Sequence, residues 1–164
     1  MPATATRVMQ AMSLADAIRV LGFDELKHEQ KLLIEPSIAG HDVVGILPTS
    51  FGKSACYLIP GIVTGAKTIV VSPLIALQED QVQGLREKGI NAFAMHSGME
   101  EIKRSAARYY FRRAPDGQPS FLYVSPETLL SQAFYEQFST VRFDRIAIDE
   151  AHCTSTWGNS FRPD

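Results

Sequence analysis

The pattern of apolar and polar positions near the start of the chain indicates two helices. Ser13 is a suitable N-cap for a helix over 14–21, which Gly22 ends. A second helix is predicted over about 27–39 from its helical spacing. Residues 1–12 carry neither pattern, and we expect them to form a flexible N-terminus.

Beyond residue 40, short apolar runs alternate with helical patterns. Strands are predicted over 42–47, 67–71, 90–95, 120–124 and 143–148. Helices are predicted from Lys53, over 74–88 with Leu74, Leu77, Gln81 and Leu85 on one face, over 100–113, and from Pro126. This alternation predicts an α/β fold, a parallel sheet covered by helices on both faces, with its functional loops along one edge.

The composition indicates a globular protein but does not reveal its function. The 164 residues suffice for one core, and 45% hydrophobic with 21% charged residues is typical of a globular domain. No apolar run predicts a membrane span or a signal peptide. Cys56 and Cys153 lie far apart without companion ligands, so neither a disulfide nor a zinc site is expected. The net charge of −2 neither indicates nor excludes nucleic acid.

The segment Leu47-Pro-Thr-Ser-Phe-Gly-Lys-Ser54 has the context of a phosphate-binding loop, between a predicted strand and a predicted helix. Amide groups at a helix start attract an anion, and the helix dipole adds to that attraction. Lys53 can reach the β- and γ-phosphates of a nucleotide, and the Ser54 hydroxyl can bind Mg²⁺. The alternative is a chance Gly-Lys-Ser in a turn.

The loop departs from the usual pattern, which has glycine at the position of Leu47 and commonly another where Ser50 and Phe51 stand. If the main chain needs a positive φ at Ser50, a non-glycine residue there costs roughly 1–2 kcal/mol.

A second acidic motif, Asp149-Glu-Ala-His152, follows the apolar run 145–148. Opposite a phosphate loop, Asp149 can hold Mg²⁺ through water while Glu150 orients and deprotonates the attacking water. An exposed acidic strand end is the alternative. Two such motifs at the ends of two strands favour nucleotide binding.

The residues after this motif are Cys153-Thr-Ser-Thr-Trp-Gly-Asn-Ser-Phe-Arg-Pro-Asp164. They resemble the aromatic-rich loop of RecQ helicases, which belong to superfamily 2 of the DNA helicases. Aromatic rings and a guanidinium can stack on unpaired bases and bind phosphate. On the residues alone, Trp157 and Phe161 could equally fill a core. Thr156, Asn159 and Ser160 replace Gln, His and Asp of the family pattern. In the family this loop couples DNA binding to ATP hydrolysis, so the resemblance implies a weaker coupling here.

Other segments resemble the same family in the same order. They are Leu21–Gln30, Cys56–Pro60, Val71–Val82 and Tyr123–Glu127. The resemblance implies ATP and Mg²⁺, with Gln30 bonded to the adenine edge, Phe23 near the base and Lys27 where the family usually has Arg. Implied nucleotide contacts are Phe23, Lys27, Gln30, Thr49, Ser50, Phe51, Gly52, Lys53 and Ser54. Implied catalytic residues are Lys53, Asp149, Glu150 and His152, with Ser54 and Asp149 as metal ligands.

The resemblance also implies a nucleic-acid surface. Ser72 and Ser125 would offer hydroxyls to the DNA backbone, although each Ser-Pro pair can also simply end a strand. Implied DNA contacts are Ser72, Pro73, Gln81, Ser125, Trp157, Phe161 and Arg162.

By this resemblance, 13–164 form the first RecA-like motor domain of an ATP-dependent 3′→5′ DNA helicase, incomplete at its C-terminus. A strand inserted between 42–47 and 145–148, and a second motor domain, would be missing. We therefore expect a poorly soluble or loosely packed fragment that binds ATP/Mg²⁺ and single-stranded or forked DNA but does not unwind. The compartment would be the nucleoid-containing cytoplasm of a bacterium or the nucleus of a eukaryote. The alternatives are an RNA helicase of the DEAD/DEAH kind and a non-catalytic module, or remnant, that binds ATP and nucleic acid.

Overall fold

The computed structural model describes residues 10–48 and 50–153. The helices are α1 Leu14–Val20, α2 His28–Ile38, α3 Ala55–Thr64, α4 Ile75–Glu87, α5 Glu101–Arg113, α6 Pro126–Leu129 and α7 Gln132–Phe138. The strands are β1 Lys67–Val71, β2 Asn91–Met95, β3 Ser120–Val124 and β4 Arg145–Ile148, followed by a 3₁₀ turn over Ala151–Cys153. Among these residues no helix is long and apolar enough to cross a bilayer.

The four strands form one parallel sheet in the order β2-β3-β1-β4. β1 is an inner strand of the sheet because it pairs with both β3 and β4. Ile69 lies opposite Leu122 on one side and Ile146 on the other. All strands therefore end at the same edge of the sheet, as predicted.

Alternate residues of β1 and β3 enter two separate cores. Val70 and Tyr123 belong to a cluster with α1, α2, α3 and α4. Ile69 and Leu122 belong to a second cluster, which includes buried residues of α5 and α7. Because the side chains of a strand point alternately to its two faces, these clusters lie on opposite faces of the sheet. The predicted helix-covered parallel sheet is confirmed.

The two predicted N-terminal helices are also confirmed. The Ser13 hydroxyl accepts a hydrogen bond from the Asp16 N–H at 3.1 Å and so caps α1. Gly22 follows α1 with φ +84°. In α2, Pro36 is accommodated within the last turn.

The strand predicted over 42–47 was wrong. This segment has no strand pairing, and Val44 and Ile46 are 91% and 97% exposed. A strand needs a neighbour to bond its main-chain groups, but β4 pairs only with β1 among the described strands. Between the segment and β4 lies a cavity of about 810 Å³.

The predicted face of α4 is only partly confirmed. Leu85 is buried and Gln81 is half-buried, but Leu74 and Leu77 are exposed, and Gln78 and Val82 are the other buried residues. The helix is oriented by Gln78, whose buried amide donates a 2.6 Å hydrogen bond to the carbonyl oxygen of Ser72 at the end of β1. Helix α7 was not predicted.

Candidate functional site

The phosphate-loop segment lies between the irregular segment 41–48 and α3. Ser50 has φ +62° and Gly52 has φ +81°. Ser50 therefore adopts the left-handed conformation whose cost was considered above, with the backbone strain of a non-glycine residue. A Cβ atom at Gly52 would also lie 2.7 Å from Nε2 of Gln30, so a larger residue there would displace the Gln30 amide.

Gln30 ties the start of α2 to this loop. Its Nε2 donates to the carbonyl oxygens of Phe51 and Gly52 at 3.2 and 3.1 Å, and its Oε1 accepts from the Lys27 N–H at 2.9 Å. The side chain is buried, with 2% of the residue exposed. A hydrogen bond to adenine would have to be exchanged for these contacts, so the adenine role of Gln30 stays a prediction.

Two other predicted nucleotide residues lie against the same loop. The ammonium of Lys27 is 3.9 Å from the centroid of the Phe51 ring. The ring of Phe23 approaches Gly52, since its Cε1 would be 3.7 Å from a Cβ atom built there. The structure thus brings Phe23, Lys27 and Gln30 together with the phosphate loop.

The acidic motif reaches the same place from the end of β4. The Asp149 N–H donates to the Val71 carbonyl at 2.9 Å, which extends the β1–β4 pairing to the first carboxylate. Glu150 lies 3.8 Å from Lys53, between Oε1 and Nζ, and 3.3 Å from His152, between Oε2 and Nδ1. The phosphate-loop lysine and the Asp-Glu motif are therefore neighbours, as the sequence predicted.

Glu150 has φ +56°, which no feature of the sequence indicated. Among the described residues outside glycine, only Ser50 and Glu150 have positive φ, and both lie in this site. Strained backbone of this kind is often found at functional sites. The turn also lets the Glu150 N–H donate to Oδ1 of Asp149 at 3.0 Å.

The pKa of Asp149 is raised above its ordinary value. Burial is the largest cause, and the neighbouring negative charge of Glu150 adds to it. The Glu150 N–H and the positive charge of Lys53 act in the opposite direction. A half-buried carboxylate with too little positive charge around it is suited to a cation.

The residues present fit a magnesium nucleotide. Ser54 stands at the N-cap of α3, yet its side chain makes no capping hydrogen bond. Its hydroxyl and the Asp149 carboxylate are oxygen ligands of the kind Mg²⁺ prefers, with phosphate and water completing the shell. Within 10–48 and 50–153, no group of three or more His, Cys, Asp and Glu side chains could hold a metal by itself.

The predicted DNA-contacting serines lie at the expected sheet edge, but both are buried. The Ser72 Oγ is enclosed without a hydrogen-bond partner, and its N–H donates to the Val124 carbonyl. The Ser125 Oγ caps α6, accepting from the Thr128 N–H at 3.3 Å. Neither hydroxyl is presented to a DNA backbone in this conformation, because both residues are 2% exposed. The DNA contacts of Ser72, Pro73 and Ser125 stay predictions.

Gln81 belongs to a polar cluster that sequence reasoning missed. Its Oε1 accepts from the hydroxyls of Tyr57 and Tyr123 at 2.9 and 2.7 Å. Burial raises the pKa of both tyrosines, and the nearby charge of Asp149 raises the pKa of each further. The cluster therefore lies close to the nucleotide site, and a DNA contact of Gln81 stays a prediction.

Four predicted site residues lie outside the described residues. They are Thr49, Trp157, Phe161 and Arg162. Most of the N-terminus predicted to be flexible lies outside them too.

The chain is similar in sequence to several proteins that are named as ATP-dependent DNA helicases. A relative from Synechocystis, named ATP-dependent DNA helicase RecQ, is 40% identical over 92% of this chain. A Bacillus subtilis relative named probable ATP-dependent DNA helicase RecS is 40% identical over 87%. An Arabidopsis thaliana relative named ATP-dependent DNA helicase Q-like 2 is 38% identical over 93%. The chain spans only 32%, 28% and 22% of the lengths of these proteins.

A solved structure from Sulfolobus tokodaii, titled as a hypothetical ATP-dependent RNA helicase, superposes with a TM-score of 0.70. The superposition covers 88% of this chain and 43% of that one at 23% identity, so it supports the fold alone. The family model for the DEAD/DEAH box helicase matches residues 27–164. This match covers most of the chain, and the phosphate loop and the Asp-Glu motif meet at Lys53 and Glu150. The chain therefore belongs to the DEAD/DEAH box helicase family.

Proposed function

We propose that the chain is the nucleotide-binding part of a RecQ-type, ATP-dependent 3′→5′ DNA helicase. The observation that carries this is the ion pair between Lys53 and Glu150, which joins the two motifs at 3.8 Å. Similarity over most of the chain to proteins named as RecQ helicases supports the DNA-directed type. Because the chain spans a third or less of these relatives, we assign unwinding to a longer protein with a second motor domain.

The site residues would divide the work of hydrolysis. Lys53 would give up its ion pair with Glu150 and would neutralise the β- and γ-phosphates. Ser54 and Asp149 would hold Mg²⁺. Glu150, released from the ion pair, would then accept a proton from the attacking water. His152 would keep the Glu150 carboxylate in place through its 3.3 Å contact. Bound Mg–ATP would supply the phosphoryl group and the charge that these residues stabilise.

Single-stranded or forked DNA is the proposed nucleic-acid partner. Trp157, Phe161 and Arg162 would stack on bases and bind phosphate. Ser72, Pro73, Gln81 and Ser125 lie at or near the edge where β1 and β3 end. The buried hydroxyls of Ser72 and Ser125 would have to be uncovered before they could contact the same DNA strand. The proposed compartment follows the host, namely the nucleoid-containing cytoplasm of a bacterium or the nucleus of a eukaryote.

Binding of fluorescent ADP with Mg²⁺ tests the nucleotide site. The chain should bind ADP, and Lys53→Ala should lose at least about tenfold in affinity because a charge-assisted phosphate contact contributes roughly 1.5–3 kcal/mol. Lys88→Ala, which removes an exposed lysine at the end of α4, should bind as the original chain does. Failure of the original chain to bind, or unchanged binding by Lys53→Ala, would contradict the proposal.

Two alternative functions, an RNA helicase and a non-catalytic binding module, predict different binding and hydrolysis results. An RNA helicase would bind oligouridine at least as tightly as oligothymidine, whereas we expect preference for the DNA. A non-catalytic module would bind ADP but would gain no hydrolysis when joined to the remainder of a helicase motor. The presence of both Lys53 and Asp149 favours the catalytic type.

A further inference from the structure

The contact between Lys27 and Phe51 joins two positions at which this chain departs from the RecQ pattern. The family usually has Arg at the first position, and helicase phosphate loops commonly have a further glycine near the second. Here the Lys27 ammonium lies 3.9 Å from the centroid of the Phe51 ring, which is cation–π geometry. The two departures therefore contact each other.

The phosphate loop needs support from outside itself. Ser50 holds a left-handed conformation that an L-residue adopts at a cost, and the preceding segment 41–48 has no strand pairing. Within the loop, the Phe51 N–H donates to the Pro48 carbonyl at a long 3.3 Å. Ties from outside the loop come from the start of α2, through the amide of Gln30 and the ammonium of Lys27, and from Glu150, which pairs with Lys53.

We propose that Lys27 is a positioning residue that holds the phosphate loop in its binding conformation through the ring of Phe51. On this view Lys27 acts on the phosphate end of the nucleotide, and the adenine is not its target. The inference rests on the proposed nucleotide site. A loop ordered before the ligand arrives lowers the entropic cost of binding, and a partly exposed cation–π contact corresponds to about two- to fivefold in affinity.

Two ligands separate these roles, Mg–ADP and magnesium tripolyphosphate, which carries phosphates without a base. Their affinities are measured by titration calorimetry for the chain, Lys27→Met, Phe51→Leu and the double variant. Each single variant should weaken both ligands about two- to fivefold, and the double variant should be no weaker than either single one. Lys27→Arg and Phe51→Tyr keep the cation and the ring, and they should restore binding.

Lys31→Met is the matched control, because Lys31 is also exposed and lies one turn further along α2. It should leave both affinities unchanged. The Lys27 side chain is at the surface, so Lys27→Met should fold normally, which circular dichroism checks.

Four outcomes would overturn the inference. If Lys27→Met weakens ADP but not tripolyphosphate, the lysine acts on the base. If the losses in the double variant add, the two residues act separately. If tripolyphosphate binding depends on Lys53 but is unaffected in both Lys27→Met and Phe51→Leu, only this inference fails, whereas a chain that binds neither ligand removes the proposed function as well.

Discussion

At the scale of single residues, the phosphate loop contains a serine where glycine would be less strained. Ser50 has φ +62°, so Ser50→Gly should remove a strain of about 1 kcal/mol, net of the greater freedom that glycine gives the unfolded chain. For a chain of this size the midpoint of thermal unfolding should rise by roughly 2–4 °C. Circular dichroism during heating measures it.

Neighbouring variants show whether strain is the cause. Ser50→Ala removes the hydroxyl but keeps the Cβ atom, so it should not raise the midpoint. Gly52→Ala should lower it, because φ is +81° and the new Cβ would lie 2.7 Å from Gln30. Equal stabilisation by Ser50→Ala and Ser50→Gly would show that the backbone conformation is not responsible.

Asp149 gives stability a defined dependence on pH. Its pKa is higher in the folded chain than its ordinary value, chiefly through burial and then through Glu150. The folded chain therefore binds this proton more tightly than the unfolded chain does. The contribution of Asp149 to stability is greatest below the ordinary pKa of an aspartate and is lost as the pH rises through the raised folded value.

Asp149→Asn should consequently stabilise the free chain at neutral pH, because the amide does not carry the charge that burial and Glu150 disfavour. The gain should shrink as the pH falls towards the ordinary aspartate pKa, and Mg–ADP binding should weaken because a metal ligand is lost. Thermal midpoints measured across pH test this, with Asp144→Asn as the comparison. A gain that is the same at all pH values would contradict the linkage.

At the scale of elements, local patterns predicted the strands correctly where each strand has a neighbour on both sides. The bounds of β1 and β3 agree with the prediction because both strands are flanked on each side by other strands and buried on both faces. The face of α4 was not predictable from leucine spacing, since a buried glutamine, Gln78, bonds to Ser72 and takes a core position. Spacing rules assign polar residues to the outside, and a buried amide that donates to a main-chain carbonyl breaks that assignment.

In the candidate site, too, some features could be predicted from the sequence and others depend on tertiary contacts. The sequence placed Lys53 and the Asp-Glu motif after two strands of one parallel sheet and so predicted that they would meet. They do meet, although 42–47 pairs with no strand. The Lys27–Phe51 contact and the tyrosine hydroxyls on Gln81 join residues distant in sequence, and no local pattern reports such pairs. The positive φ of Glu150 likewise depends on its tertiary surroundings.

At the scale of the whole molecule, one side of the sheet carries apolar residues that the described residues do not cover. On β4, Ile146 and Ile148 are 67% and 52% exposed, and Val44 and Ile46 face solvent across the cavity. Each such side chain forgoes part of the roughly 1.5–3 kcal/mol that full burial provides. The outer edge of β4 also leaves main-chain groups open to pairing with another molecule.

We therefore expect the isolated chain to self-associate and to unfold over a broad temperature range. Hydrogen exchange should be slowest in β1 and β3 and fast in 41–48 and β4, because local stability follows packing. The double variant Ile146→Thr/Ile148→Thr keeps β-branched residues and should reduce association in sedimentation experiments. Ile102→Thr, at an exposed position on α5, should not. A monomer with a sharp, concentration-independent transition would show that this open side costs the fold little, and that 42–47 and β4 are stable without a strand between them.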